Sequence, residues 1–126
     1  MRAFKTKAFA KWARSQGVSD NVLATAVAEM ERGLIDAQLG GQVIKKRVRL
    51  PGRGKSGSTR TLVAFRRRRK AFFVGGFAKS EHANISDLEL KALKLLAKQL
   101  LSYSAAELAI ATAARELVEI EVRNDA

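Results

Sequence analysis

The chain of 126 residues contains no cysteine, so no disulfide framework and no thiolate metal site can be built from it. Its one histidine, His82, cannot make a multi-histidine metal site. No apolar run approaches the roughly 18 residues that cross a bilayer. The opening MRAFKTKAFAKW carries charge throughout and has no apolar core, so no secretory leader is expected there. These absences lead to the expectation of a compact cytoplasmic protein that does not span a membrane; no cofactor is expected. Acids are also scarce, twelve against 24 Lys and Arg, for a net charge of +12.

That charge has an address. Between Lys45 and Lys79 the chain reads KKRVRLPGRGKSGSTRTLVAFRRRRKAFFVGGFAK, with thirteen of the 24 cations and no acid, leaving eleven cations against all twelve acids elsewhere. Like charges repel across a compact surface, so a dense field of one sign is costly to a fold, but it attracts polyanions. The segment is therefore expected to contact nucleic acid while the remainder holds it in place.

The length suits one domain, residues 1–126. Residues 6–16 predict an amphipathic helix with Phe9, Trp12 and Ala13 on one face and Gly17 as its stop. Ser19 caps a second helix, about 20–32, whose apolar stripe is Leu23, Ala26, Val27 and Met30. Such a helical pair can read DNA, but apart from Asn21 the first turns of the second helix lack the Arg, Lys, Gln or Asn that read bases. Gly40-Gly41 marks a turn, and the period then changes from about 3.6 to 2. Val43–Leu50 reads as a strand with Ile44, Lys46, Val48 and Leu50 on one face and Val43, Lys45, Arg47 and Arg49 on the other. Arg60–Arg66 and Ala71–Ala78 read as two more strands joined at Arg67–Lys70; in the last, Phe73 and Phe77 are expected opposite Phe72 and Val74. Ser86 with Glu89, and Ser104 with Glu107, have capping-box spacing for helices reaching about Leu101 and 114. Leu117–Val122 alternates again, with Glu119 and Glu121 facing away from Val118 and Ile120. The fold class expected is α+β in the order ααβββααβ: two N-terminal helices packed on a small antiparallel sheet, then C-terminal helices and a final strand near basic neighbours.

GRGKSGST superficially resembles a phosphate-cradling P-loop, but that motif needs a glycine where Arg49 stands and a helix after the loop. Arg53 and Lys55 can still meet phosphates as plain charges. Arg66–Lys70 sits at a hairpin tip, where charge serves either a solvated turn or an RNA backbone. Arg60 is more specific, because a guanidinium at a strand start beside apolar residues is held in place and can grip a phosphate at two points. Lys79, Glu81 and His82 bring a cation, a carboxylate and an imidazole together after the third strand, the group types that acid–base chemistry uses.

On these residues the chain is similar to a bacterial branch of the RelE/ParE toxin superfamily of type II toxin–antitoxin modules. The likeness runs from Phe4 to Val122 and is strongest from Gly33 to Ser86. The family patterns GKSGG-aromatic-RTL and GFAK-x-E-x-ANI read here GKSGSTRTL and GFAKSEHANI. Ser58 replaces a glycine and Thr59 an aromatic that can stack a base. The resemblance implies a metal-independent endoribonuclease that cleaves mRNA on the ribosome, inhibiting translation and growth, and a cognate antitoxin that neutralises it. It also implies attack of a 2′-hydroxyl on the adjacent phosphate. Arg60, Lys55 and Lys79 fall within the matching motifs. Arg60 is expected to hold the scissile phosphate, and Lys79, Glu81 and Lys55 to serve catalysis, with Lys46 another candidate base. Lys45, Lys46, Arg47, Arg49, Arg53 and Arg66 would bind the RNA backbone. Two alternatives are a ParE-like toxin acting on DNA gyrase, which needs only a binding surface, and a non-enzymatic basic nucleic-acid-binding domain.

Overall fold

The computed structural model describes residues 1–50, 58–78 and 85–122. Ten elements follow one another: β1 (Arg2–Thr6), α1 (Lys7–Gln16), α2 (Asp20–Glu31), β2 (Ala37–Gly40), β3 (Val43–Arg49), β4 (Ser58–Arg66), β5 (Lys70–Ala78), α3 (Asp87–Leu101), α4 (Ala105–Ala113) and β6 (Leu117–Ile120). The architecture is α+β, with one six-stranded sheet in the order β2-β3-β4-β5-β1-β6. The sheet is mixed rather than purely antiparallel, because β1 runs parallel to β5 while its other neighbour, β6, is antiparallel.

Helix boundaries follow local chemistry. The Thr6 hydroxyl accepts from Phe9 N, Ser19 from Val22 N, Ser86 from Glu89 N, and Ser104 from Glu107 N, so each helix opens on a side chain that satisfies an otherwise orphaned amide. Glu107 reaches back to Ser104 N and completes a capping box. Gly17, with φ of 70°, closes α1 in the left-handed conformation.

β1 and β2 depart from the sequence expectation. β1 is central, and its neighbours Ala3 and Phe4 are both fully buried, one on each face of the sheet. Arg2 and Lys5 flank them, so the segment shows none of the alternation that marks a half-buried strand. β2 is only four residues long and follows β3's lead, with Asp36 N donating to Lys45 O just before it.

Helices cover both faces. On one face α1 and α2 pack Phe9, Leu23, Val27 and Met30 against Ile44, Val48, Val63 and Phe73. On the other, α3 and α4 pack Ala97, Leu100 and Leu108 against Phe4, Val43, Ala64 and Phe72. The Phe4 and Phe72 rings stack at 5.1 Å between centroids, and Phe9 meets Phe73 at 5.3 Å. Trp12 packs closely on the sheet at Gly76; a Cβ there would collide with the indole ring, so only glycine permits this approach.

One irregularity decides which side chains share a face. Leu62 pairs with Gly75 but Val63 pairs with Phe73, so Val74 is an extra residue in β5. This bulge reverses the alternation beyond it. Phe77 therefore does not share a face with Phe73, as strict alternation implies, but lies with Arg60, its Cα partner.

Candidate nucleic-acid interface

Paired residues on neighbouring strands point the same way. β3 and β4 pair Lys45 with Leu62, Arg47 with Arg60, and Arg49 with Ser58, and β4 and β5 pair Arg60 with Phe77. Lys45, Arg47, Arg49, Arg60 and Phe77 thus belong to one face, the one whose opposite end lies beneath α3 and α4. Arg47 and Arg49 are exposed, Lys45 and Arg60 half-buried, and Phe77 buried. Arg47 directly opposite Arg60 is an unfavourable like-charge pair for a sheet.

Arg60 carries the sharpest feature of this surface. Its Nη1 is buried and has no hydrogen-bond partner among the described residues. Leaving a buried charged donor unsatisfied costs more than an ordinary hydrogen bond contributes, so such a group calls for an explanation, and an anionic ligand is one. Arg47 is partly engaged: its backbone N donates to Asp36 Oδ1 at 3.0 Å, and its Nε lies 3.7 Å from Asp36 Oδ2. A pocket of about 350 Å³ adjoins this row, walled by Leu62, Gly75, Phe77, Ile85, Ala92 and Leu93, with Glu89 at its rim.

Lys46 does not join this surface. It is buried on the opposite face, where its ammonium pairs with Glu29 of α2 at 2.8 Å and donates to Leu34 O at 2.9 Å. Committed in this way, Lys46 faces away from the Arg60 row, so the structure does not bring it to the surface where both expectations place it. Arg66 is also separated: it stands six residues along β4 from Arg60, about 20 Å by strand rise, where it meets Gln42 Oε1 at 3.4 Å. Its neighbours in the basic run are largely structural. Arg67 Nε donates to Glu31 O, Arg68 N to Glu31 Oε1, and Lys70 Nζ to Tyr103 O. These bonds tie the hairpin tip to the last turn of α2, where cations complement the helix carbonyls, and to the link between α3 and α4.

Thr59 is buried on the α1–α2 side, paired with Val48. A residue there faces away from Arg60, so the departure from an aromatic at this position takes no base-stacking ring from the open face. Arg53, Lys55, Lys79, Glu81 and His82 lie outside the described residues. β4 begins at Ser58 and β5 ends at Ala78, with Thr59 and Ala78 paired, so the two segments carrying those residues connect to the sheet at Arg60's end. The sequence reading missed Phe77 as a member of this face; its signal was the Gly75-Gly76 pair, since glycines within a strand often mark a bulge. Among the described residues, no cluster of three or more His, Cys, Asp or Glu side chains is placed to hold a metal ion, and no helix is long and apolar enough to cross a membrane.

Residues 1–120 match the family model described as RelE toxin of RelE / RelB toxin-antitoxin system. No curated protein matches the chain.

Proposed function

The chain belongs to the RelE toxin family of toxin–antitoxin systems, and from that premise we propose that it is an endoribonuclease that cleaves mRNA on the ribosome, with Arg60 gripping the scissile phosphate. Family membership brings with it an mRNA-cleaving role in general terms and an antitoxin as partner. The observation that carries the finer reading is the Nη1 of Arg60, buried and partnerless among the described residues, beside exposed Arg47 and Arg49.

In this mechanism the 2′-oxygen bonds to the neighbouring phosphorus as the P–O5′ bond breaks. The 2′-hydroxyl proton passes to a base, an acid protonates the departing 5′-oxygen, and a 2′,3′-cyclic phosphate remains. Charge builds on the non-bridging oxygens during the step. A guanidinium already stripped of water and fixed on a strand stabilises that charge without reorganising. Lys45, Arg47 and Arg49 hold the flanking backbone by charge. Lys79, Glu81 and Lys55 supply the proton transfers.

The test is expression in a bacterial host with primer extension on a reporter mRNA, wild type against Arg60→Ala and Arg60→Lys. Wild type is expected to arrest growth and to cut within translated codons. Arg60→Ala is expected to lose about 10²- to 10³-fold in cleavage rate, the scale of removing one preorganised donor to a developing oxyanion. Growth arrest without cuts, or full cleavage by Arg60→Ala, refutes the assignment.

A further inference from the structure

The pocket of about 350 Å³ beside the Arg60 row differs from the row in charge. Its walls are Leu62, Phe77, Ile85 and Leu93, and Glu89 is the one charged side chain among its lining residues. No Lys or Arg lines it, although cations crowd the strands alongside. Leu62 stands two residues along β4 from Arg60 on the same face, about 7 Å by strand rise. Phe77 is the Cα partner of Arg60. Gly75, opposite Leu62, keeps the floor open: a Cβ there would already come within 3.3 Å of Leu62 Cδ1. Glu89 lies in the first turn of α3 and is exposed. Its Oε1 accepts from the Ser86 hydroxyl at 3.0 Å, the one bond that its carboxylate makes among the described residues.

We propose that this pocket receives a base of the RNA strand whose phosphates lie on the Arg60 row, and that Glu89 selects a base with an exocyclic amine, cytosine or adenine, against uracil. The inference rests on the reading of that row as an RNA surface, but not on cleavage. Charge divides the two places. The row attracts phosphates, while a carboxylate repels them, so a backbone that follows the arginines turns a base rather than a phosphate toward Glu89. Bases of single-stranded RNA are splayed into such surroundings and read on their Watson–Crick edges. The volume lies within the range of small-molecule sites, with apolar walls and one polar group that fixes orientation. A carboxylate only accepts. It therefore pairs with an amine, as Glu and Asp do with cytosine N4. Uracil presents its O4 carbonyl at the position of that amine, which sets two acceptors against each other with no proton between them.

Fluorescence anisotropy tests this with labelled 2′-O-methyl oligomers of cytidine, adenosine and uridine, which bind without being cut because the attacking oxygen is blocked. Wild type is expected to bind the cytidine or the adenosine oligomer about tenfold tighter than the uridine oligomer, the scale of one specific base contact; whichever gains identifies the base. Glu89→Gln is expected to remove that difference, because an amide both donates and accepts. Its melting temperature is expected to stay at the wild-type value, because glutamine also suits that capping position. Ala92→Phe, at an exposed position of α3 on the pocket lining, is expected to fill the space and remove the difference while leaving uridine affinity unchanged. Equal affinities in the wild type, a preference that survives both substitutions, or no binding of any oligomer each overturn the proposal. Cleavage is read separately on the reporter mRNA. A wild type that prefers amine-bearing oligomers but makes no cuts keeps the pocket and refutes the nuclease, whereas one that cuts but binds the three oligomers equally refutes the pocket alone.

Discussion

The two ends of β4 carry the same kind of side chain in opposite circumstances. At one end Arg60 is half-buried, faces Arg47 across the ladder, and leaves a buried Nη1 without a partner among the described residues. At the other, the arginine run folds back on the molecule, with Arg67 and Arg68 bonded to the final residue of α2 and Lys70 to the backbone before α4. Charge density alone does not distinguish them; the hairpin tip is the denser of the two. What differs is whether the fold supplies acceptors. Where helix C-termini lie close, guanidinium and ammonium groups stabilise the structure. Where the sheet face runs out beyond α3, the Arg60 Nη1 meets no acceptor among the described residues.

The largest effect is expected from Arg60→Ala, the loss of about 10²- to 10³-fold in cleavage already stated, against a melting temperature close to wild type. A comparable activity loss from Arg67→Ala, with stability unchanged, would break the contrast between the two ends. Next, Gly76→Ala forces a methyl group into the Trp12 ring. It is expected to cost about 1–3 kcal/mol, as overpacking does, measured by urea unfolding. An unchanged midpoint would mean that Trp12 does not pack there. Lys46→Met removes the ammonium from Glu29 and Leu34 O. The expected cost is about 1–3 kcal/mol, the range for losing hydrogen bonds to a charged group, with RNA affinity retained by the folded fraction. A selective loss of RNA affinity at full stability would return Lys46 to the binding surface.

The smallest effect belongs to the far edge of the sheet. Arg2 donates two bonds of 2.9 Å to Glu119, raising the arginine's pKa and lowering the carboxylate's, in both cases chiefly through the hydrogen bond. A depressed carboxylate pKa gives stability that is present above the unfolded value and is lost as pH falls through the folded one. The raised arginine pKa acts only at extreme alkaline pH. Both side chains are more than two-fifths exposed, so the pair contributes no more than about 0.2–1 kcal/mol. Glu119→Gln is expected to flatten the acid limb of a stability–pH curve by that little, measured by thermal melts; a larger change would show the edge to be less screened than its exposure implies.

Much of the frame could be read from residues alone. Ser19, Ser86, Ser104 and Gly17 mark helix ends because capping is chemistry between residues a few positions apart. The α2 stripe of Leu23, Ala26, Val27 and Met30 is buried as its period demands. The acidic final strand does meet a basic neighbour, although it ends at Ile120 rather than Val122 and Val118 remains partly exposed. β1 was not legible, because a central strand buried on both faces loses its alternation, and five residues with two cations give little else to read. Lys46 shared its face with Ile44, Val48 and Leu50 in the sequence pattern, but nothing local disclosed that Glu29, on a helix before it, would be there to receive it.

By itself, then, the sequence determined the location of the charge, most element boundaries and the family, since all rest on neighbours within a few residues or on a contiguous motif. The tertiary structure decided which cations remain available. It sent Lys46 to α2 and the hairpin tip to the helix ends, and through one extra residue in β5 it brought Phe77 to the face of Arg60. Those outcomes depend on which distant carboxylates, carbonyls and strands arrive alongside, and on a register that a single inserted residue reverses.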